Sequence, residues 1–373
     1  MIRTTFTGLL VFGTLLVLST TGVQAQEEQE TRIGGYGELH YNEPEGAGKG
    51  LLDLHRFVLF VNRNFNDWIS FASEIEMEHT YVSGDGKRPG GEFSIEQAYL
   101  EFRVSKQLGF RGGILLVPVG IINPTHEPTT FNGVERPNFH RSIVPTTWRE
   151  AGAGIFGTLA DGLTYDVYTV GGVQAKSFSA SDAIRGGRQL GLNTSTADMS
   201  LTGRVGYHAM AGLQLGVSGF FGNSTGGVDS LGSGAVSLIA AEARYSTGNL
   251  DIRAEGAILN VADAEKIHAA YRNNVADQSI GWYVEAAYNF LPHLVADTEH
   301  QLAFFTRYEM INTQADVSYG DPLTQHDRTI VTTGLTYHPH SDVVVKLDYQ
   351  FFSNARDAKG TGQLNAGIGY AFF

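Results

Sequence analysis

Hydrophobic and polar residues alternate with a period of two along most of this chain. In the segment VVVKLDYQFF (343–352), every second residue is apolar, and the residues between them include Lys346, Asp348 and Gln350. A strand places such alternating residues on opposite faces, whereas a helix would mix them. The same alternation recurs in 68–79, 97–104, 250–258, 282–290 and 300–310. The pattern predicts an all-β protein.

The connections between the predicted strands alternate in length. We expect about sixteen strands. They lie near 32–41, 51–64, 67–81, 93–105, 108–117, 149–158, 162–172, 198–208, 212–222, 235–246, 249–261, 280–290, 298–312, 327–338, 342–353 and 363–373. Short connections such as 64–67 alternate with long ones such as 173–197, and the longest is 118–148. Short turns at one end and long loops at the other are typical of an outer-membrane barrel. We therefore expect an antiparallel up-and-down transmembrane β-barrel rather than a secreted soluble β-protein.

Composition and the first residues indicate an exported protein. The 373 residues include 46 glycines and no cysteine, so a disulfide framework and a thiolate metal site are excluded. The net charge of −13 argues against a nucleic-acid partner. Arg3 precedes a short apolar run at 9–18, and the sequence VQA (23–25) fits the signal-peptidase rule. We expect 1–25 to be a signal peptide and 26–373 to form one barrel domain.

The polar face of the strands is expected to line a water-filled lumen, because a barrel of about sixteen strands is too wide for side chains to fill. The charged wall residues expected there include Glu74, Glu76, Glu78, Glu101, Arg103, Arg253 and Arg307. These charges either create a transverse field or neutralise one another across neighbouring strands. The row Glu74, Glu76 and Glu78 either biases the pore towards cations or is paired by arginines of adjacent strands or of the longest loop.

Several motifs resemble the phosphate-selective porin O and P family of bacterial outer-membrane channels. They are GGYGELHYN (34–42), the strand pair IEQAYLEFRV and FRGGILLVPVG (95–120), and REAGAGIFG (149–157). The resemblance implies a sixteen-stranded barrel, a homotrimer, and a third loop folded inward to narrow the pore. The phosphate-selective members carry loop lysines, whereas 118–148 has none. The resemblance therefore extends to the fold and not to phosphate selectivity.

With that fold, the stretch VERPNFHRSIVPTTWRE (134–150) becomes the candidate pore constriction. Its prolines disfavour strand pairing. The residues expected to line the constriction are Glu135, Arg136, His140, Arg141 and Arg149. We expect the arginines to be tethered to wall carboxylates such as Glu74, Glu76 or Glu78.

Three functions remain open from the sequence. The leading one is a porin in the bacterial outer membrane for passive diffusion of small hydrophilic solutes or ions. The alternative is an anion or oxyanion channel that uses the arginines of the stretch and His140 as donors. A remote alternative is an outer-membrane enzyme, but the spacing of His126, Glu127, His140 and Ser142 is not diagnostic of a catalytic or metal site. We therefore expect no catalytic residue, no metal and no cofactor, and lipid as a partner.

Overall fold

The described residues form a closed antiparallel barrel. The computed structural model describes residues 30–46, 48–79 and 91–372. The predicted signal peptide therefore lies outside the described residues. The strands are β1 Thr31–Pro44, β2 Leu51–Asn64, β3 Ile69–Glu78, β4 Glu92–Arg103, β5 Gly109–Leu116, β6 Arg149–Ala160, β7 Leu163–Gly171, β8 Met199–Tyr207, β9 Leu213–Gly222, β10 Val236–Thr247, β11 Leu250–Val261, β12 Gln278–Asn289, β13 Gln301–Asp316, β14 Asp327–His340, β15 Val343–Asn354 and β16 Thr361–Phe372.

Each strand pairs with its sequence neighbours, and the last strand closes on the first. Gly35 of β1 pairs with Phe372 of β16, and the same strand pairs with β2 on its other side. Closure leaves no exposed sheet edge. The prediction of a sixteen-stranded up-and-down barrel is confirmed. Strand ends differ by a few residues: the strand expected over 298–312 runs from Gln301 to Asp316.

Helices are short and lie in the long connections. They are α1 Phe139–Ser142 and α2 Ala264–Tyr271, with 3-10 turns at Ala175–Ser177, Arg185–Gly187, Asp229–Leu231, Leu291–His293 and Thr324–His326. Helix α2 lies in the connection between β11 and β12. Among the described residues, none of the helices has both the length and the hydropathy needed to cross a membrane.

The exposed face of the barrel is the apolar one. Ile239 and Leu347 are 52% and 48% exposed, whereas Glu242 and Asp348, on the opposite face of the same strands, are 7% and 2% exposed. A soluble barrel would bury the apolar side chains instead. The polar face is therefore the inner face, as the alternation predicts.

The inner face is not polar along its whole length. On β9 to β12, the inner positions near the long connections are apolar: Phe220, Leu238, Leu259 and Tyr283 are almost fully buried. They pack in one hydrophobic cluster with side chains from 117–148 and from 173–184. The expected polar lining is interrupted there, because the two connections supply apolar partners.

Two β-bulges break the alternation near the first strands. In the β1–β2 ladder, Glu38 pairs with Arg56 and Leu39 with Leu54, so His55 is the extra residue. In the β3–β4 ladder, Glu74 pairs with Gln97 and Ile75 with Ile95, so Glu96 is the extra residue. After a bulge, side chains point to the face of the sheet opposite to the one that strict alternation predicts.

Candidate functional site

The connection between β5 and β6, residues 117–148, contacts the inner face of the opposite wall. Three of its backbone N–H groups donate to wall carboxylates. The bonds run from Phe139 to Glu309 Oε2 at 2.9 Å, from Val134 to Asp348 Oδ2 at 2.6 Å, and from Ile121 to Glu255 Oε2 at 3.2 Å. Charged acceptors make stronger hydrogen bonds than neutral ones. The wall acids therefore bind this segment, which we call the 117–148 segment.

Wall arginines bind the carbonyl groups of the same segment. Arg307 lies 3.1 Å from both Glu285 and Glu309. It also donates to the carbonyls of Asn132 at 3.4 Å and Glu135 at 3.3 Å. Its side chain is fully buried. Its guanidinium thus joins two wall strands to two points of the segment.

Arg253 repeats this arrangement on β11, two strands from Arg307 on β13. It donates to Asp251 at 2.7 Å and to the carbonyl of Thr130 at 2.7 Å. The sequence singled out both arginines as wall residues. Their hydrogen bonds to the segment were not predictable, because the alternation of polar and apolar residues does not show which loop covers these arginines.

Helix α1 is the apolar anchor of the segment. Phe139 and Ile143 are fully buried. A Cβ on Gly281 of β12 would lie 2.9 Å from Ile143 and 3.1 Å from Phe139. Only glycine at that position lets the helix approach the wall so closely. His140, expected at the constriction, is fully buried with its Nε2 2.9 Å from Glu255.

The three arginines of the stretch 134–150 do not bind the row Glu74, Glu76 and Glu78. Arg136 donates to the carbonyl of His126 at 2.9 Å. Arg141 lies 3.4 Å from Asp182, and Arg149 lies 3.3 Å from Glu96. The expected tether is therefore wrong in its partners.

The acidic row is paired mainly by the neighbouring strand. Arg56 of β2 lies 3.1 Å from Glu76 and 3.6 Å from Glu78, and 2.7 Å from Glu38 of β1. Of the two pairings left open by the sequence, the arginine of an adjacent strand is the one found. Arg56 carries one positive charge, so it offsets only part of the charge of these three carboxylates.

Glu101 is paired in the same manner near the short turns. It lies 2.6 Å from Arg103 and 2.8 Å from Arg111. The side chain of Arg103 is 59% exposed at the strand end. This pair therefore lies near the short-turn rim rather than in the middle of the wall.

His126 forms a buried charge cluster that sequence reasoning did not find. Its Nε2 lies 3.0 Å from Glu96 and 3.4 Å from Glu74, while its Nδ1 lies 3.0 Å from the carbonyl of Asn123. Both ring nitrogens face acceptors, so both carry a proton. Burial opposes this charge, but Glu96 and Glu74 outweigh it and raise the pKa of His126 to about 10. Glu96 reaches this cluster because it is the extra residue of the β3–β4 bulge, which alternation does not reveal.

Glu135 is the segment's contact with β1. It lies 3.2 Å from His40 Nδ1 and accepts a hydrogen bond from Asn42 at 2.9 Å. Burial disfavours its charge, but His40 and Asn42 outweigh burial and lower the pKa of Glu135 to about 2. The side chain is therefore a carboxylate at neutral pH.

A cavity of about 600 Å³ lies between the segment and the strands β1, β2, β3, β15 and β16, towards the long connections. We call it the outer cavity. Its charged and imidazole lining comprises Glu38, His40, His55, Arg56, Glu78, His79, Glu135, Arg136, Arg141 and Arg185. Two further cavities of about 410 and 480 Å³ lie by Asn62 and Glu74 and by Arg111 and Asp166, towards the short turns. The open space is thus next to the polar walls, while the apolar wall of β9 to β12 is covered.

No protein-family model matches the chain. A protein of Aquifex aeolicus described as uncharacterised is 36% identical over 360 residues, which cover 93% of this chain and 81% of that protein.

Solved structures with the same fold are outer-membrane proteins. OmpF of Salmonella typhi, in complex with daunomycin, is 14% identical, with a TM-score of 0.62 over 92% of this chain and 98% of that chain. The outer-membrane channel DcaP of Acinetobacter baumannii is 12% identical, with a TM-score of 0.60 over 95% of this chain and all of that chain. An anion-selective porin of Comamonas acidovorans is 12% identical, with a TM-score of 0.56 over 92% of this chain and all of that chain. Such a barrel places the protein in the bacterial outer membrane.

Proposed function

The chain belongs to the same family as the uncharacterised Aquifex aeolicus protein, and we propose that it is a porin. Its barrel encloses a water-filled channel through which small hydrophilic solutes or ions diffuse passively. The observation that carries this proposal is the distribution of space on the inner face. Cavities of about 410 to 600 Å³ are typical of ligand sites as well, but here they adjoin charged strand faces at both ends of one barrel.

We further propose that the 117–148 segment narrows the channel. It is bound to β11, β12, β13 and β15 and adds apolar contacts to the cluster on β9 to β12. The free path then runs beside β1 to β5 and β14 to β16. Beside this path, Glu135 of the segment meets His40 of β1.

The predicted constriction residues take two roles in this proposal. Glu135, Arg136 and Arg141 line the outer cavity and set the local charge. His140 and Arg149 are anchors, because both are buried against carboxylates. The cavity-lining residues act on diffusing solutes directly. The anchors act indirectly, because they hold the 117–148 segment in position.

A preference for anions is the second candidate function, and one observation favours it. Arg136, Arg141 and Arg185 line the same outer cavity. The side chain of Arg141 is 69% exposed, and Arg185 makes no ion pair within the described ranges. Guanidinium groups with free donors attract anions into a narrow pore. Of the acids that line this cavity, Glu38 and Glu78 are paired with Arg56, and Glu135 lies 3.2 Å from His40.

The remote enzymatic alternative has little support. Ser142 Oγ lies 3.5 Å from Asp182, and His140 Nε2 faces Glu255 instead. A hydroxyl nucleophile needs a base within hydrogen-bond reach. We retain passive diffusion as the function and propose no catalytic residue.

We also propose that the protein forms a homotrimer surrounded by outer-membrane lipid. One solved structure with the same fold, OmpT of Vibrio cholerae, is described in a trimer form; it is 13% identical, with a TM-score of 0.58 over 92% of this chain and all of that chain. Analytical ultracentrifugation of the detergent-solubilised protein at matched solvent density tests this assembly. A monomer at all concentrations would contradict it.

Conductance in a planar lipid bilayer tests the function. The refolded protein should insert and give stable, ohmic current steps in symmetric salt. In a salt gradient, the reversal potential then measures the charge preference, and anion selectivity should move it towards the anion equilibrium potential. Absence of current from a correctly folded barrel would overturn both candidate functions.

A further inference from the structure

Three side chains that can bind a metal meet at the wall of the outer cavity. Asp53 and His55 lie on β2, and His79 directly follows β3. One ligand atom from each lies within 4.8 Å of the other two. We propose that these residues bind a divalent transition-metal ion, with zinc as the representative ion.

The fold holds the three residues together by specific backbone features. The bulge in the β1–β2 ladder makes His55 the extra residue between Leu54 and Arg56. The backbone N–H of His79 donates to the carbonyl of His55 at 3.0 Å, which fixes the two histidines side by side. Their rings meet edge to face with centroids 5.4 Å apart.

The distances suit metal coordination. Asp53 Oδ2 lies 2.7 Å from His79 Nδ1 and 3.5 Å from His55 Nδ1. Nitrogen and oxygen ligands at about 2 Å from a tetrahedral zinc ion are about 3.3 Å apart. The short Asp53–His79 contact must therefore open by less than about 1 Å. The side chains of His79 and Asp53 are 52% and 33% exposed, which leaves them room to move apart.

The chemistry of the donors selects the class of ion. Two imidazoles and one carboxylate favour zinc, copper, nickel or iron over calcium or magnesium, which prefer oxygen ligands. Three protein ligands leave a coordination position open to water or solute. The site faces the outer cavity, which gives that position access to the solution.

The surroundings restrain His55 without competing for the ion. The ring of His40 stacks on that of His55 with centroids 4.5 Å apart. Its own nitrogens face Glu38 at 3.1 Å and Glu135 at 3.2 Å, so they are not needed as ligands. Arg56 is the nearest permanent cation in the sequence, and its charge is offset by Glu38, Glu76 and Glu78.

A second group of potential ligands, Glu74, Glu96 and His126, does not support the same proposal. All three side chains are buried. The two ring nitrogens of His126 already face Glu96 and the carbonyl of Asn123, and Arg149 lies 3.3 Å from Glu96. A metal ion there would have to displace a proton from a strongly stabilised imidazolium. This cluster is better explained as an anchor of the 117–148 segment.

Zinc binding is measured by isothermal titration calorimetry on the folded barrel in detergent, with Zn²⁺ as the only added ligand. We expect one zinc ion per chain at this site. His55→Ala and His79→Ala should each weaken the affinity about tenfold or more, the scale on which even outer-shell changes affect metal sites. Asp53→Asn removes the charged ligand and should weaken binding similarly.

The matched control is His340→Ala. His340 lies 3.4 Å from Asp342 at an exposed turn, so it forms a histidine–aspartate pair without the second imidazole. This change should leave the affinity unaltered. Equal zinc affinity in the wild type and in the double variant His55→Ala/His79→Ala would overturn the proposal, as would an equal loss in the control. Circular dichroism shows whether each variant retains the barrel.

Electrical recording gives a second readout. Bound zinc adds positive charge to the wall of the outer cavity, so micromolar Zn²⁺ on the long-loop side should shift the reversal potential towards anions. The shift should disappear in His55→Ala/His79→Ala. Zinc-free conductance tests the porin proposal and calorimetry tests the metal site, so the two proposals fail separately.

Discussion

Removing the guanidinium of Arg307 should destabilise the barrel strongly. The side chain is fully buried and lies 3.1 Å from each of two buried carboxylates, Glu285 and Glu309. In Arg307→Ala those carboxylates lose their cation. Breaking a buried ion pair by removing one partner costs about 3–5 kcal/mol. We expect a loss of that size in the free energy of unfolding, measured by urea titration of tryptophan fluorescence in detergent.

The same change should loosen the 117–148 segment, since Arg307 also binds the carbonyls of Asn132 and Glu135. Single-channel recordings should therefore show larger or noisier current steps. Arg307→Lys keeps the charge but loses the planar fork of donors, so its effect should be intermediate.

Arg244→Ala is the control for this prediction. Arg244 pairs with Asp251 at 2.8 Å, but the arginine side chain is 35% exposed. Partly exposed pairs contribute about 0–1 kcal/mol. If Arg307→Ala costs no more than Arg244→Ala, or leaves the current steps unchanged, the assigned tethering role of Arg307 is wrong.

Three further predictions concern the segment and its charges. Trp148→Ala removes a fully buried ring packed 4.5 Å from that of Phe220 and should cost about 3–5 kcal/mol in urea unfolding; a loss below about 1 kcal/mol would contradict the packing. The double change Arg136→Ala/Arg141→Ala should shift the reversal potential away from anions, and an unchanged potential would mean that these side chains do not face the ion path. The pKa of His126, raised from 6.5 to about 10 against the effect of burial, implies stabilisation that is fully present below about pH 6.5 and is lost as the pH rises through about 10. The urea concentration at the midpoint of unfolding should therefore fall as the pH rises from about 6.5 to about 10 in the wild type. It should change less with pH in His126→Gln.

Period-two alternation predicted the barrel because lipid and lumen impose opposite chemistry on successive residues. It identified Arg253 and Arg307 as inner residues, and both are inner. It failed at β9 to β12, where inner residues such as Leu238 are apolar. Their partners come from a connection distant in sequence, and alternation carries no information about such contacts.

The bulges are the second limit of sequence reasoning. An extra residue reverses the phase of a strand, so Glu96 turns inward and Ile95 becomes 48% exposed. Strict alternation alone would have placed Ile95 on the same inner face as Gln97. The anchor at His126 and the histidine pair at His55 both depend on these bulges, and for that reason neither was found from spacing.

In the proposed channel, the open path runs beside β1 to β5 and β14 to β16, while the 117–148 segment fills the space against β9 to β12. The chain contains no cysteine, so a single introduced cysteine reports the accessibility of its position. Gln363 lines the outer cavity, whereas Ala240 is 1% exposed in the apolar cluster.

A positively charged methanethiosulfonate reagent, added during bilayer recording, provides the most direct measurement. The account predicts that the reagent reduces the current through Gln363→Cys and leaves Ala240→Cys unchanged. Equal modification of both positions, or a current through Gln363→Cys that does not respond although mass spectrometry shows the adduct, would contradict the proposed path.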